Sequence, residues 1–159
     1  MKGLLVALVA LALALPAAAL ADTKYDIAGI EVRVTPATFV GNVFEGGALT
    51  GAFYAVVPHS NPLPKTVTDP QATICPTSSP CGSYVLVGSA GLVTGAFAQG
   101  TVAFDGSFDD ADGCPDERYV VTATLTNGSA LIVLRHFRSF RLLGCPTVGA
   151  SVTGSVLVA

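Results

Sequence analysis

Residues 117–138 read ERYVVTATLTNGSALIVLRHFR, and this stretch decides the fold class. On both sides of Asn127-Gly128 apolar residues alternate with polar ones: Tyr119, Val121, Ala123 and Leu125 before the pair, Ala130, Ile132 and Leu134 after it. A period of two puts alternate side chains on one face of an extended chain, so each arm reads as a half-buried β-strand. Asn-Gly between two such arms reads as a hairpin turn, because both residues tolerate the positive φ of a type I′ turn. A two-residue loop at Asn127-Gly128 sets Thr126 opposite Ser129, Leu125 opposite Ala130, Ala123 opposite Ile132 and Val121 opposite Leu134. Further along it sets Tyr119 opposite His136, Arg118 beside Phe137, and Glu117 opposite Arg138 as a cross-strand charge pair worth ~0.2–1 kcal/mol. The face carrying Leu125 is thus apolar near the turn and polar at Glu117, Tyr119, His136 and Arg138. Asn127-Gly128-Ser129 also matches a glycosylation sequon, but behind a leader of bacterial character it reads as a turn.

The same pattern recurs along the chain, and helical periodicity is absent after residue 21. Strands are expected near 26–34, 37–45, 48–57, 84–88, 91–98, 101–108, 117–126, 129–141 and 150–158. That predicts an all-β fold, a single antiparallel β-barrel or β-sandwich of about 8–9 short strands. Further hairpins are expected at Gln99-Gly100, with Phe97 facing Val102 and Phe104 covering Gly95, and at Gly46-Gly47, with Phe39 opposite Tyr54. The similar segments Leu49–Phe53, Val93–Phe97 and Val152–Val156 each centre on Thr-Gly; their unequal spacing is not a solenoid period, and the glycines suit bends in a curved sheet. Pro58 to Pro80 carries six prolines and reads as a long loop outside the sheet. The run from Gly95 to Phe104, GAFAQGTVAF, resembles Gly-rich hairpins of allene-oxide-cyclase-like and dirigent-like barrels. That resemblance implies a barrel and carries over no catalytic residue.

Met1 to Ala21 reads as a secretory signal peptide: Lys2, an apolar run from Gly3 to Leu15, Pro16, and Ala19-Leu20-Ala21 as the cleavage site. The apolar run falls short of the ~20 residues that span a bilayer. Cleavage before Asp22 leaves residues 22–159 as a single all-β domain, secreted or periplasmic. Without Lys2 it has seven Lys+Arg against eleven Asp+Glu, an acidic balance that argues against a nucleic-acid partner. Charged residues are only 12% of the chain, about half the usual ~25%. Four cysteines in an exported chain imply two disulfides; of the three possible connectivities the tight Pro-flanked loop between Cys75 and Cys81 favours Cys75–Cys81 with Cys114–Cys145. A terminal aromatic residue and aromatic girdles are missing, so insertion into a membrane as a barrel is not expected.

Sequence signatures of hydrolases, metalloproteases and nucleotide-binding enzymes are absent. Three local clusters remain. Asp109, Asp110, Asp112 and Asp116 resemble part of an EF-hand loop and form a candidate calcium site, set against a plain solvated acidic loop tethered by Cys114; no other cofactor is expected. The basic run Arg135 to Arg141 suits an anionic ligand or, more simply, neutralises that acidic loop. Glu117, Tyr119, His136 and Arg138 form a candidate ligand-binding site at a barrel mouth. The expected function is a secreted, non-enzymatic binding or structural module whose partner is a small molecule or protein, with oligomerisation open. The alternatives are a barrel that binds an apolar ligand, with isomerase or cyclase chemistry, and a surface-adhesion or self-assembling protein.

Overall fold

The computed structural model describes residues 22–108 and 111–159. The proposed leader therefore lies outside the described residues, apart from its expected junction at Asp22. Nine antiparallel strands follow: β1 (Thr23–Val34), β2 (Ala37–Glu45), β3 (Ala48–Val57), β4 (Ala72–Ile74), β5 (Cys81–Gly88), β6 (Gly91–Phe108), β7 (Asp116–Leu125), β8 (Gly128–Arg138) and β9 (Thr147–Val158). The order β6-β5-β3-β2-β1-β9-β8-β7 closes on itself through β6–β7 pairing, with β4 added to β6. The fold is a closed eight-stranded barrel plus one strand, not a sandwich.

Alternation along the strands sends Ile27, Phe39, Phe53, Leu86, Phe97 and Val152 inward, all buried. Thr122, Thr124, Ser129 and Thr153 are exposed on the outside. The outer face mixes these hydroxyls with exposed apolar side chains such as Ile30, Val32, Leu92 and Leu131. Eight strands leave an interior that side chains can fill. Two voids inside it, of about 20 and 10 Å³, each have room for about one water.

The β7–β8 register differs from the expected one. Leu125 pairs with Gly128, Ala123 with Ala130 and Glu117 with His136, so the loop is Thr126-Asn127 and every partner moves by two. A shift of two preserves parity, and the inward face is the expected one. Two causes are visible. Thr126 and Asn127 are tied to β6: the Thr126 N–H donates to Ala96 O (2.9 Å), the Ala96 N–H to Thr126 Oγ1 (3.1 Å), and Asn127 Nδ2 to Thr94 O (3.3 Å). The Tyr84 hydroxyl also donates to the Asn127 side chain. Gly128 is needed within the strand, where a Cβ would lie 1.8 Å from Leu157 O.

Two other hairpin readings need correction. Gln99-Gly100 is not a turn. It lies within β6, an 18-residue strand with register shifts at Phe97/Gln99 and Phe104/Gly106. These irregularities let β6 pair first with β5 and then with β7 and β4. The segment resembling a Gly-rich hairpin is therefore one bent strand. Gly95 does lie under an aromatic ring, but the ring belongs to Tyr84, its β5 partner, not to Phe104. The Gly46-Gly47 turn forms as expected, yet a shift between Val43 and Phe44 places Phe39 opposite Ala55 and leaves Tyr54 outside. The Pro58–Pro80 segment is not wholly loop either, since β4 buries Ala72 and Ile74. Ser60 holds its outer edge through reciprocal bonds to Thr73, both 2.8 Å.

Both expected disulfides are present, Cys75–Cys81 and Cys114–Cys145, consistent with an oxidising compartment. The strand directions place tight turns at 46–47, 89–90 and 126–127 on one end of the barrel. The longer connections 58–71, 109–115 and 139–146 lie at the other.

Candidate functional site

The long-loop end gathers all four residues of the expected mouth site and adds a fifth. On β1, Tyr25 and Ile27 point inward, and the same parity carries Glu31 inward. Its Oε2 lies 2.8 Å from His136 Nε2 on β8, with side-chain exposures of 3% and 5%. The Tyr119 ring sits 5.3 Å from the His136 ring and packs edge-on against Phe104 at 5.7 Å. Its hydroxyl donates to Glu117 Oε2 (2.9 Å). Glu117 Oε1 accepts from Arg138 Nη1 (2.8 Å). Arg138 Nε in turn donates to Cys145 O (2.8 Å). Glu117 faces His136 across the ladder, and the expected Glu117–Arg138 pair forms on the diagonal instead. Glu31 was not among the residues singled out from sequence; only its parity with Tyr25 and Ile27 pointed to it.

Burial, and then the hydrogen bond to Glu117, hold the Tyr119 hydroxyl well above the ordinary tyrosine value of 10, so it stays a donor. The folded state therefore keeps a proton that the unfolded chain gives up above pH 10. The resulting stability is complete below pH 10 and is lost as pH rises beyond it, by up to about 1.4 kcal/mol per pH unit. Tyr119→Phe should remove this part of the alkaline decline, leaving a shallower fall in urea midpoints between pH 9 and 11. Parallel wild-type and variant curves would refute the assignment.

Above the network opens a cleft of about 400 Å³, lined among others by Val34, Leu63, Lys65, Glu117, Tyr119 and His136. It lies by the point where β1 and β9 part: their ladder ends at Ile30–Ser151, although β1 runs on to Val34 and β9 begins at Thr147. The cleft offers an ammonium, a carboxylate and an imidazole beside apolar walls. Both cysteine pairs are oxidised, so no thiol is available as a nucleophile.

Of the four aspartates expected to hold calcium, two are described. Asp109 and Asp110 lie outside the described residues. Asp112 accepts from Cys114 N (3.0 Å), Phe140 N (2.9 Å) and Ser139 Oγ (3.1 Å), and these bonds, led by that from Phe140, hold its carboxyl below the usual range. Asp116 Oδ1 accepts from Arg138 N (2.9 Å). Asp112 thus binds the β8–β9 connection and Asp116 the last residue of β8. Among the described residues no three His, Cys, Asp or Glu side chains are grouped to hold a metal ion.

The basic run is dispersed. Arg118 lies opposite Arg135, not Phe137, and reaches Asp105 at 3.0 Å. Arg135 stacks over Phe108 at 4.6 Å and near Phe137 at 5.6 Å, and Arg138 pairs with Glu117. Beyond it a depression of about 640 Å³ opens around Arg141, Leu142, Leu143 and Pro146. A scan of family models finds no match to the chain, and searches of curated proteins and of solved structures likewise return none.

Proposed function

We propose that the chain is an exported, non-enzymatic binding module that meets its partner with the long-loop end of its barrel. On this reading the leader is removed after Ala21, and residues 22–159 work in the periplasm or outside the cell. The observation that carries it is the asymmetry of the barrel's two ends. One has only tight turns. The other carries the long connections, two of them joined by Cys114–Cys145 and by the bonds from Phe140 and Ser139 to Asp112. A rigid scaffold that preorganises loops lowers the ordering cost of binding. The filled interior favours a partner met at the rim over an apolar ligand carried within.

Amide shift mapping on the isotope-labelled, oxidised protein tests this, with phosphatidylcholine bicelles, mixed soluble oligosaccharides and extended peptides as probes. The expected perturbations fall within 58–71, 111–118 and 139–147. Perturbations centred on 46–47, 89–90 and 126–127, or on the outer hydroxyl face, would sink the proposal.

A further inference from the structure

We infer that the β8–β9 connection is a lipid-docking tip that seats the long-loop end on a zwitterionic phospholipid surface. This rests on the binding reading above and names its partner. The turn Arg141-Leu142-Leu143-Gly144 is closed by reciprocal backbone bonds, Arg141 N to Gly144 O at 2.7 Å and Gly144 N to Arg141 O at 3.0 Å. Central turn positions ordinarily take Gly, Asn, Asp, Pro or Ser. Here they are leucines, 100% and 99% exposed, with the neighbouring Phe140 at 66%. An exposed apolar cluster of this kind marks a surface that meets a protein or a membrane.

The tip is held from several sides. Cys145 is bonded to Cys114, Phe140 N and Ser139 Oγ donate to Asp112, and Arg138 Nε donates to Cys145 O. Its apolar side chains are presented in place, so insertion carries little ordering cost.

Charge and shape select lipid over a protein groove or a second copy. Residues 135–149 contain Arg135, Arg138 and Arg141 and no acidic residue; the carboxylates set against them, Asp112 and Asp116, are engaged by Phe140, Ser139 and Arg138. Arg135 is stacked on rings and Arg138 is paired with Glu117, whereas Arg141 adjoins the leucines, more than a third of its surface open to solvent. A projecting turn with two leucines at its crest and a guanidinium beside them matches the headgroup boundary, where leucines enter the acyl region and the guanidinium meets phosphate. With the leader removed the chain carries seven Lys+Arg against eleven Asp+Glu, an acidic balance that opposes long-range attraction to an anionic surface and selects a zwitterionic one. The barrel would rest on the surface without spanning it.

The chain has no tryptophan, so Leu143→Trp gives a single emission reporter. In the exported, oxidised protein, its emission should move to the blue on adding phosphatidylcholine vesicles. Ala90→Trp, in the tight turn at the far end, should not move. Leu142→Ser/Leu143→Ser should lower vesicle partitioning roughly 100-fold, about tenfold per leucine, with the far-ultraviolet spectrum unchanged. Arg141→Gln should weaken it several-fold.

Unchanged emission from Leu143→Trp would overturn the inference. So would co-sedimentation that survives the double serine change, or binding confined to anionic vesicles and abolished by salt. A lipid-free dimer seen by native mass spectrometry and broken by the serine pair would assign the tip to a second copy instead. If vesicles fail while oligosaccharides or peptides still perturb the long-loop end, only the lipid partner is lost. If lipid perturbs the tight-turn end, both readings fail.

Discussion

Glu31→Ala is expected to lower the unfolding free energy by about 3–5 kcal/mol, the largest effect of any single change at the barrel mouth. The reason is the seclusion of its partner. The two side chains meet at 2.8 Å with almost no solvent contact, so removing the carboxylate strands His136 Nε2 against the barrel wall. No neighbour stands ready to replace it. The Tyr119 hydroxyl is committed to Glu117, and Glu117 to Arg138. His136→Phe should carry a comparable penalty from the other side, leaving Glu31 as a buried carboxylate without its partner. The combined change Glu31→Leu/His136→Phe should recover most of the loss, because an apolar pair of similar volume is often as stable as the buried polar pair it replaces. Urea titrations of the wild type, the two single variants and the pair measure this as a double-mutant cycle. Single losses under about 1 kcal/mol, with negligible coupling, would show that the contact is incidental. The stable apolar pair also removes the polar floor of the mouth cleft while keeping the barrel, which separates a structural role for Glu31 and His136 from a role in binding.

How far this was readable from sequence depended on how local each determinant is. Alternation in the arms around Asn127 identified the inward face even though the register was off by two, because such a shift leaves parity intact. The turn was misplaced by bonds from Thr126 and Asn127 to residues some thirty positions earlier, and a local pattern carries no trace of those. Gln99-Gly100 shows the same difficulty. Glycine marks a turn and also a bend inside a strand, and only the neighbours of β6, two on different lengths of it, decide which. β4 was hidden because three residues among prolines carry no period; β6 gives them their pairing. Four members of the mouth network came from one hairpin and could be listed together. The fifth, Glu31, lies 105 residues from His136, and the pairing of β1 with β9, the neighbour of β8, brings it there. An inward charge on a strand can be read as a site only once its partner is located.

The pairing of the cysteines was legible, and it leads to a prediction that separates two kinds of staple. Cys114→Ser/Cys145→Ser is expected to cost about 3–4 kcal/mol, and Cys75→Ser/Cys81→Ser about 2 kcal/mol, by the chain-entropy relation. The difference follows from sequence separations of 31 and 6, since the longer closure restricts the unfolded chain more. Location adds a second contrast. Cys114 is fully buried and joins the loop before β7 to the loop before β9, the two connections that Asp112 also bridges. Cys75–Cys81 joins the end of β4 to the start of β5 beside Pro58, and ties neither 109–115 nor 139–146. Without Cys114–Cys145 the 139–146 connection should become open to proteolytic nicking and lose its ordered tip at temperatures where the barrel still holds. Without Cys75–Cys81 the tip should survive. Urea unfolding and limited proteolysis of the two double variants test both contrasts. Equal losses, or nicking at 139–146 in the Cys75→Ser/Cys81→Ser variant, would show that rigidity at the mouth comes from the barrel wall and not from the sulfur bridge laid across its loops.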